Sequence, residues 1–218
     1  NNVQIPILGL GTYKITDNNL AEKSVLHALK AGYRLIDTAA IYKNEEAVGK
    51  AIKLSKVPRE EIFVTTKLWN SDHKNPEKAF ETSLKKLQTS YIDLYLIHWP
   101  VENLRNQTWK TLEKIYKTGK CRAIGISNYT PKHIKELLST SEITPAVNQV
   151  EFSPYLYQKD LLNFCKTKNI QLEAYSPLTQ GQKLNDPELI NIAKRYNKTP
   201  AQILIRWCIQ QNLIVIPK

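Results

Sequence analysis

The sequence contains no methionine, only three cysteines, and no apolar run approaching the roughly 20 residues that a membrane-spanning helix needs. No basic-then-apolar stretch opens the chain, so no secretory signal is legible. Because it starts at Asn1, its natural start is expected to lie upstream. Cys121, Cys165 and Cys208 are odd in number and lack CxxC spacing, which argues against a disulfide framework and for reduced, buried thiols. A cytoplasmic location is therefore expected. His27, His73, His98 and His133 are scattered, so no metal site is expected. The glycine-rich dinucleotide fingerprint and the P-loop are absent. So is GxSxG, and no serine has a histidine nearby, which excludes the usual acyl-transfer arrangement.

What is present is a basic, well-sized chain. Its 218 residues can bury roughly 70% of their unfolded surface. The formal charge of +11 could suggest nucleic acid, but the excess is mostly lysine mixed with acids along helical segments such as 77–86. No dense arginine patch occurs, so a solvated surface that also favours an anionic cofactor is the expectation, with no nucleic-acid partner and no membrane. A monomer, or at most a weak homo-oligomer, is expected.

The stretch 32–49, GYRLIDTAAIYKNEEAVG, places Asp37 and Tyr42 at the mouth of a strand-to-helix unit. An aspartate capping a turn with a tyrosine packed on it would look the same, so the pair alone decides nothing. The rest of the chain repeats the unit. A β stretch over 3–8 and a tight turn at Gly9-Leu10-Gly11-Thr12 come first. Strand-like runs follow near Leu35–Ile36 and over 62–66, 92–97, 123–126, 146–150, 171–174 and 213–216, alternating with helices of 3.6-residue apolar spacing. Asn75-Pro76, Thr130-Pro131, Asp186-Pro187 and Thr199-Pro200 each offer a capping side chain followed by a proline. Trp109 and Trp207 lie on apolar helix faces and are expected in the core. Counting a strand at 8–11, the pattern predicts an α/β fold of eight parallel strands, a (β/α)8 TIM barrel in one domain spanning 1–218. A doubly wound sheet is the runner-up.

Polar residues stand at the C-terminal ends of successive strands: Asp37, Lys67, His98, Ser127-Asn128, Gln149 with Glu151, Tyr175-Ser176, and Lys218. In a barrel these ends converge on one face. Asp37, Tyr42, Lys67 and His98 make a coherent chemical set. The tyrosine is a poor acid at neutral pH, but an ammonium at Lys67 would favour its phenolate, and Asp37 would hold Lys67 charged. Tyr42 could then protonate an oxygen formed from a carbonyl, and His98 could orient that oxygen. Such a reaction needs an external reductant, for which a nicotinamide is suited.

On these residues the chain resembles the aldo-keto reductase family from Gly9 to Lys218. GYRLIDTAAIYKNEEAVG carries Asp37 and Tyr42, TTKLW carries Lys67, and LYLIHWP carries His98, while GKCRAIGISNY, VNQVEFSPY and EAYSPL match later strand-end motifs. The resemblance implies an NADPH-dependent reductase of aldehydes or ketones without a metal, NADPH being expected over NADH. It implies that Ser127, Asn128 and Gln149 hold the nicotinamide carboxamide, with Asp37 beside them, and that Tyr175 stacks on the ring. Ser176 and Leu178 would line the pyrophosphate path, Gly11 and Thr12 would lie near the nicotinamide, and Lys218 would meet the 2′-phosphate. Tyr13, Ile41, Trp69 and Trp99, with Tyr42 and His98, are expected to wall the substrate pocket. A non-catalytic NADPH-binding protein on the same barrel is the alternative. Family members continue past the IPK motif with a helix and a substrate-covering loop. Here these are expected to be missing after the eighth strand, which leaves substrate specificity unread.

Overall fold

Eight short runs of apolar and β-branched residues pair in strict sequence order, β1 to β8, into one parallel sheet. A computed structural model describes residues 3–218. Its elements are β1 (Leu10–Gly11), α1 (Asn18–Lys30), β2 (Leu35–Asp37), α2 (Glu45–Ser55), β3 (Phe63–Leu68), α3 (Pro76–Leu87), β4 (Ile92–Ile97) and α4 (Arg105–Lys117). They continue with β5 (Cys121–Ser127), α5 (Pro131–Leu138), β6 (Val147–Glu151), α6 (Lys159–Thr167), β7 (Gln171–Tyr175), α7 (Pro187–Arg195), α8 (Pro200–Gln210) and β8 (Ile214–Ile216). Gly9 and Gly11 donate to the carbonyls of Val215 and Pro217, each at 2.9 Å, and draw the last strand against the first. The result is the (β/α)8 barrel that the alternation predicts.

The period of two along each strand sorts side chains into two shells. Leu35, Phe63, Leu94, Leu96, Ala123, Val147, Ile214 and Ile216 fill the barrel interior. Their neighbours Ile36, Val64, Tyr95, Ile97, Ile124 and Val215 face outward into the larger core shared with the helices. Continuing two residues at a time from the inner shell towards the C-terminal ends, one reaches Asp37 from Leu35, Lys67 from Phe63, Ser127 from Ala123 and Gln149 from Val147. The interior therefore changes from apolar to polar over one turn of the pleat. That change gathers polar side chains at the C-terminal end of the barrel.

Three local expectations are corrected. The β stretch expected over 3–8 reduces to one bridge, Leu8 to Val215. Pro6 cannot donate to a ladder, and Val3 and Ile5 instead pack on the interior cluster. Thr130, Asp186 and Thr199 cap their helices from extended backbone, but Asn75 (φ −139°, ψ 56°) lies off that region and makes no side-chain cap. Trp109 is fully buried, whereas Trp207 is half-buried and stacks with Tyr157 and Phe152 at the edge of the core. The three cysteines are free and buried. Among the described residues no helix is long and apolar enough to cross a membrane.

Candidate active site

Asp37 ends β2 and is anchored from both sides. Its Oδ1 accepts from Lys67 Nζ at 2.6 Å and its Oδ2 from Gln149 Nε2 at 2.8 Å. Lys67 also donates to the Thr38 carbonyl at 2.8 Å, so the ammonium is fixed by two acceptors in a site from which water is excluded. Burial pushes the Asp37 carboxyl up, against the pull of Lys67 and Gln149. Burial alone would lower Lys67, but the carboxylate of Asp37, with Tyr42, more than offsets it and holds the amine above its ordinary value. The pair is an ammonium–carboxylate couple across the strand ends.

Tyr42 closes a single 3-10 turn (Ala40–Tyr42) directly after β2. Its ring centroid lies 5.1 Å from Lys67 Nζ. Burial raises the Tyr42 hydroxyl pKa and Lys67 lowers it, with the balance above the ordinary tyrosine value. This corrects the expectation of a net depression, because the cost of desolvating a phenolate exceeds the attraction of one ammonium already shared with Asp37. His98, just past β4, meets Tyr42 edge-on at 5.8 Å and Trp69 edge-on at 5.1 Å. Burial, reinforced by the charge of Lys67, pushes His98 down to about 3, so it stands neutral with one N–H to give. Its Nδ1 is buried with no hydrogen-bond partner among the described residues. Tyr13 packs on Tyr42 at 5.1 Å and is half exposed. Ile41 and Trp69 share a neighbouring cavity of about 380 Å³ with α3. Trp99 follows His98 at the exposed rim and makes no ring contact with Tyr42 among the described residues.

The residues expected at a cofactor form a second, linked set. Ser127 Oγ donates to the Gln149 carbonyl at 2.8 Å, and Asn128 Nδ2 reaches both the His98 carbonyl and Ser127 Oγ at 3.1 Å. The Tyr175 hydroxyl donates to Asn128 Oδ1 at 2.9 Å. Asn128 holds this position with φ 64°, a left-handed conformation that asparagine tolerates well. These side chains on and just beyond β5, β6 and β7 are neutral amides and hydroxyls. Thr12 Oγ1 donates to the Asp37 carbonyl at 2.9 Å, which ties the Gly11-Thr12 turn to the same strand end. Ser176 takes a left-handed φ of 48°, and Leu178 is half-buried just beyond it. Lys218 is exposed, next to the Pro217 carbonyl that accepts from Gly11.

Sequence reading missed three buried polar residues. Thr38 supplies the carbonyl that fixes Lys67, and its hydroxyl donates to Asn44 Oδ1 at 2.7 Å. Asn44 in turn donates to the carbonyls of Thr12 and Ile15, so it pins the Tyr42 turn to the β1 loop. Glu173 lies inside the barrel on β7 in register with Gln149. Its position two residues before Tyr175 was the available signal. Gln149 itself was expected only at a cofactor, yet its amide N–H is given to Asp37.

The C-terminal strand ends of a parallel barrel thus bring together a buried lysine–aspartate pair, a tyrosine and a neutral histidine. The profile of the aldo/keto reductase family matches residues 7–218, and the chain belongs to that family. Glyoxal reductase of Bacillus subtilis (strain 168) is 54% identical over 220 residues, covering 100% of this chain and 80% of the relative. Methylglyoxal reductase DkgA of Escherichia coli (strain K12) is 47% identical over 218 residues, covering 98% and 79%. Among solved structures, an aldo-keto reductase from a Medee basin deep-sea metagenome library superposes with a TM-score of 0.96 at 49% identity, covering 100% of this chain and 82% of that one. An aldo-keto reductase of Bombyx mori in complex with NADP gives 0.92 at 39% identity, covering 98% and 80%.

Proposed function

We propose that this protein reduces small aldehydes and ketones to alcohols, with Tyr42 as the proton donor. The observation that carries the reading is the contact chain Asp37–Lys67–Tyr42–His98 at one mouth of the barrel. A nicotinamide dinucleotide, NADPH in preference to NADH, supplies the hydride when bound. Ser127, Asn128 and Gln149 would hold its carboxamide, Tyr175 its ring, Ser176 and Leu178 its pyrophosphate, and Lys218 its 2′-phosphate. Gly11, Thr12 and Asp37 border the same place.

The residues' own work is proton management. Neutral His98 donates its N–H to the substrate oxygen and aims it at Tyr42. Lys67 stabilises the phenolate that remains once Tyr42 has given up its proton, and Asp37 keeps Lys67 charged and in place. Burial raises the tyrosine above its free value, so it holds its proton across neutral pH and releases it only where a stronger base, the nascent alkoxide, forms. Tyr13, Ile41, Trp69 and Trp99 offer an apolar wall open to solvent. Two relatives are named for glyoxal and methylglyoxal, so small α-dicarbonyls are the substrates to test first.

The test is Tyr42→Phe with methylglyoxal and NADPH. Turnover is expected to fall by about 10³-fold, within the range of a lost general acid, while NADPH still quenches the protein fluorescence at a similar concentration. Undiminished turnover would remove Tyr42 from its role.

A further inference from the structure

Among the described residues, Glu173 is the one charged-type side chain inside the barrel that the mechanism above leaves unused. It is completely buried, and neither carboxyl oxygen makes a well-formed hydrogen bond among the described residues, the Gln149 amide being near enough only to favour the carboxylate. Its register neighbours are Gln149 on β6 and Ile214 on β8, both inward-facing, and two residues further along β7 stands Tyr175. A carboxylate here would be a buried charge with no cation of its own, since Lys67 already serves Asp37 at 2.6 Å and the Thr38 carbonyl at 2.8 Å. Such a charge is strongly disfavoured unless it captures a partner.

We propose that Glu173 is a positioning residue acting through Lys67: uncharged, it leaves the ammonium to Asp37 and Tyr42, and its ionisation draws on that ammonium and switches off proton donation by Tyr42. The inference rests on Tyr42 being the proton donor. Counting formal charges, Asp37 and Lys67 cancel, so the interior is neutral while Glu173 keeps its proton. It becomes net negative when that proton leaves. An added negative charge in the same buried interior attracts Lys67 through space and makes a phenolate at Tyr42 harder to form.

The surroundings isolate this pair of states. From β2 the facing charge is Asp37, from β3 Lys67, and from β6 Glu151, which is half-buried at the strand end opposite Tyr175. The interior positions of β4, β5 and β8 around it (Leu94, Leu96, Ala123, Ile214, Ile216) carry no charge. Lys159, Asp160 and Lys166 of α6, which packs on the outer side of β7, are exposed. Burial, with the neighbouring Asp37 charge, moves Glu173 up to about 8, while Gln149 and Lys67 pull the other way. The switch therefore falls at the alkaline edge of the physiological range.

The experiment is the pH dependence of kcat for methylglyoxal reduction at saturating NADPH, comparing the wild type with Glu173→Gln, which mimics the protonated acid. One pH unit above its pKa a group is only about one-tenth protonated, so wild-type kcat is expected to fall about tenfold between pH 7 and pH 9. The Glu173→Gln ratio is expected to change by less than about twofold. A merely structural glutamate would alter stability without moving this ratio. Superimposable profiles, with Tyr42→Phe inactive, would overturn the inference and leave the reductase reading intact. An inactive wild type, or an active Tyr42→Phe, would overturn both. If Glu173→Gln does not fold, infrared titration of the wild type decides. A protonated carboxyl band lost between pH 7 and pH 9 supports the proposal, and no such loss overturns it.

Discussion

Asp93→Asn should destabilise the protein by about 3 kcal/mol, and the estimate follows from the floor of the barrel, at the opposite end from the site. Asp93, the second residue of β4, is completely buried and accepts three bonds: Arg59 Nη2 at 2.8 Å, the Val64 amide at 3.0 Å and Arg122 Nη1 at 2.7 Å. It thus joins β3, β4 and β5 through side-chain bonds. An asparagine keeps one acceptor oxygen but presents an NH2 where a guanidinium or amide N–H points, so at least one donor loses its partner. Breaking a buried pair from one side costs about 3–5 kcal/mol. The lower end applies because the Arg59 and Arg122 side chains are 21% and 41% exposed and can rehydrate. Arg59 also keeps its bonds to the carbonyls of Ile62 and Tyr91 and its stacking on the Tyr91 ring. With a slope of about 3 kcal/mol/M, the urea midpoint should drop by about 1 M, with the slope unchanged. Turnover of the folded enzyme should stay within about twofold. A midpoint shift below about 0.3 M would refute the view that this ionic junction holds the floor together.

Lys67→Met should lower kcat/KM by at least about 10³-fold, because burial then acts on Tyr42 and Asp37 without the opposing ammonium. NADPH titration should show near-normal binding, and a wild-type pH–rate profile would sink the coupling. Gly49→Ala should destabilise by about 1–3 kcal/mol, since an added Cβ would stand 2.4 Å from the Leu87 carbonyl oxygen where α2 crosses the end of α3. Thermal unfolding measures it, and an unchanged midpoint would mean that the two helices separate freely.

The features that periodicity controls were the legible ones. Ile92–Ile97 falls where the apolar spacing puts it, and proline-marked starts located α3, α5, α7 and α8. The convergence of Asp37, Lys67, Ser127 and Gln149 was legible because a barrel collects its strand ends, so a polar residue after an apolar strand is already placed. What could not be read was a balance of energies or a partner chosen in three dimensions. Whether Lys67 or burial dominates at Tyr42 depends on how deeply a 3-10 turn sinks. That Gln149 turns its amide to Asp37, 112 positions away, depends on β2 and β6 facing each other across the barrel. Asn44 and Glu173 went unnoticed because asparagine after a turn and glutamate in a strand are ordinary in sequence. Their complete burial marks them, and for Glu173 the period of two back from Tyr175 was the one sequence cue.

The strands that close the barrel are short: β1 has 2 residues and β8 has 3, against 6 in each of β3 and β4. Among the described residues, backbone bonds from Gly9, Gly11 and Val215 stitch this seam. Their amides need only a local opening to exchange hydrogen with solvent, whereas those of β4, flanked by long strands on both sides, need a far larger one. Gly11, Thr12 and Lys218 border the same seam, so a dinucleotide seated there would clasp its two lips together. Protection of the Gly11 and Val215 amides would then report occupancy of the site directly, residue by residue, without any turnover.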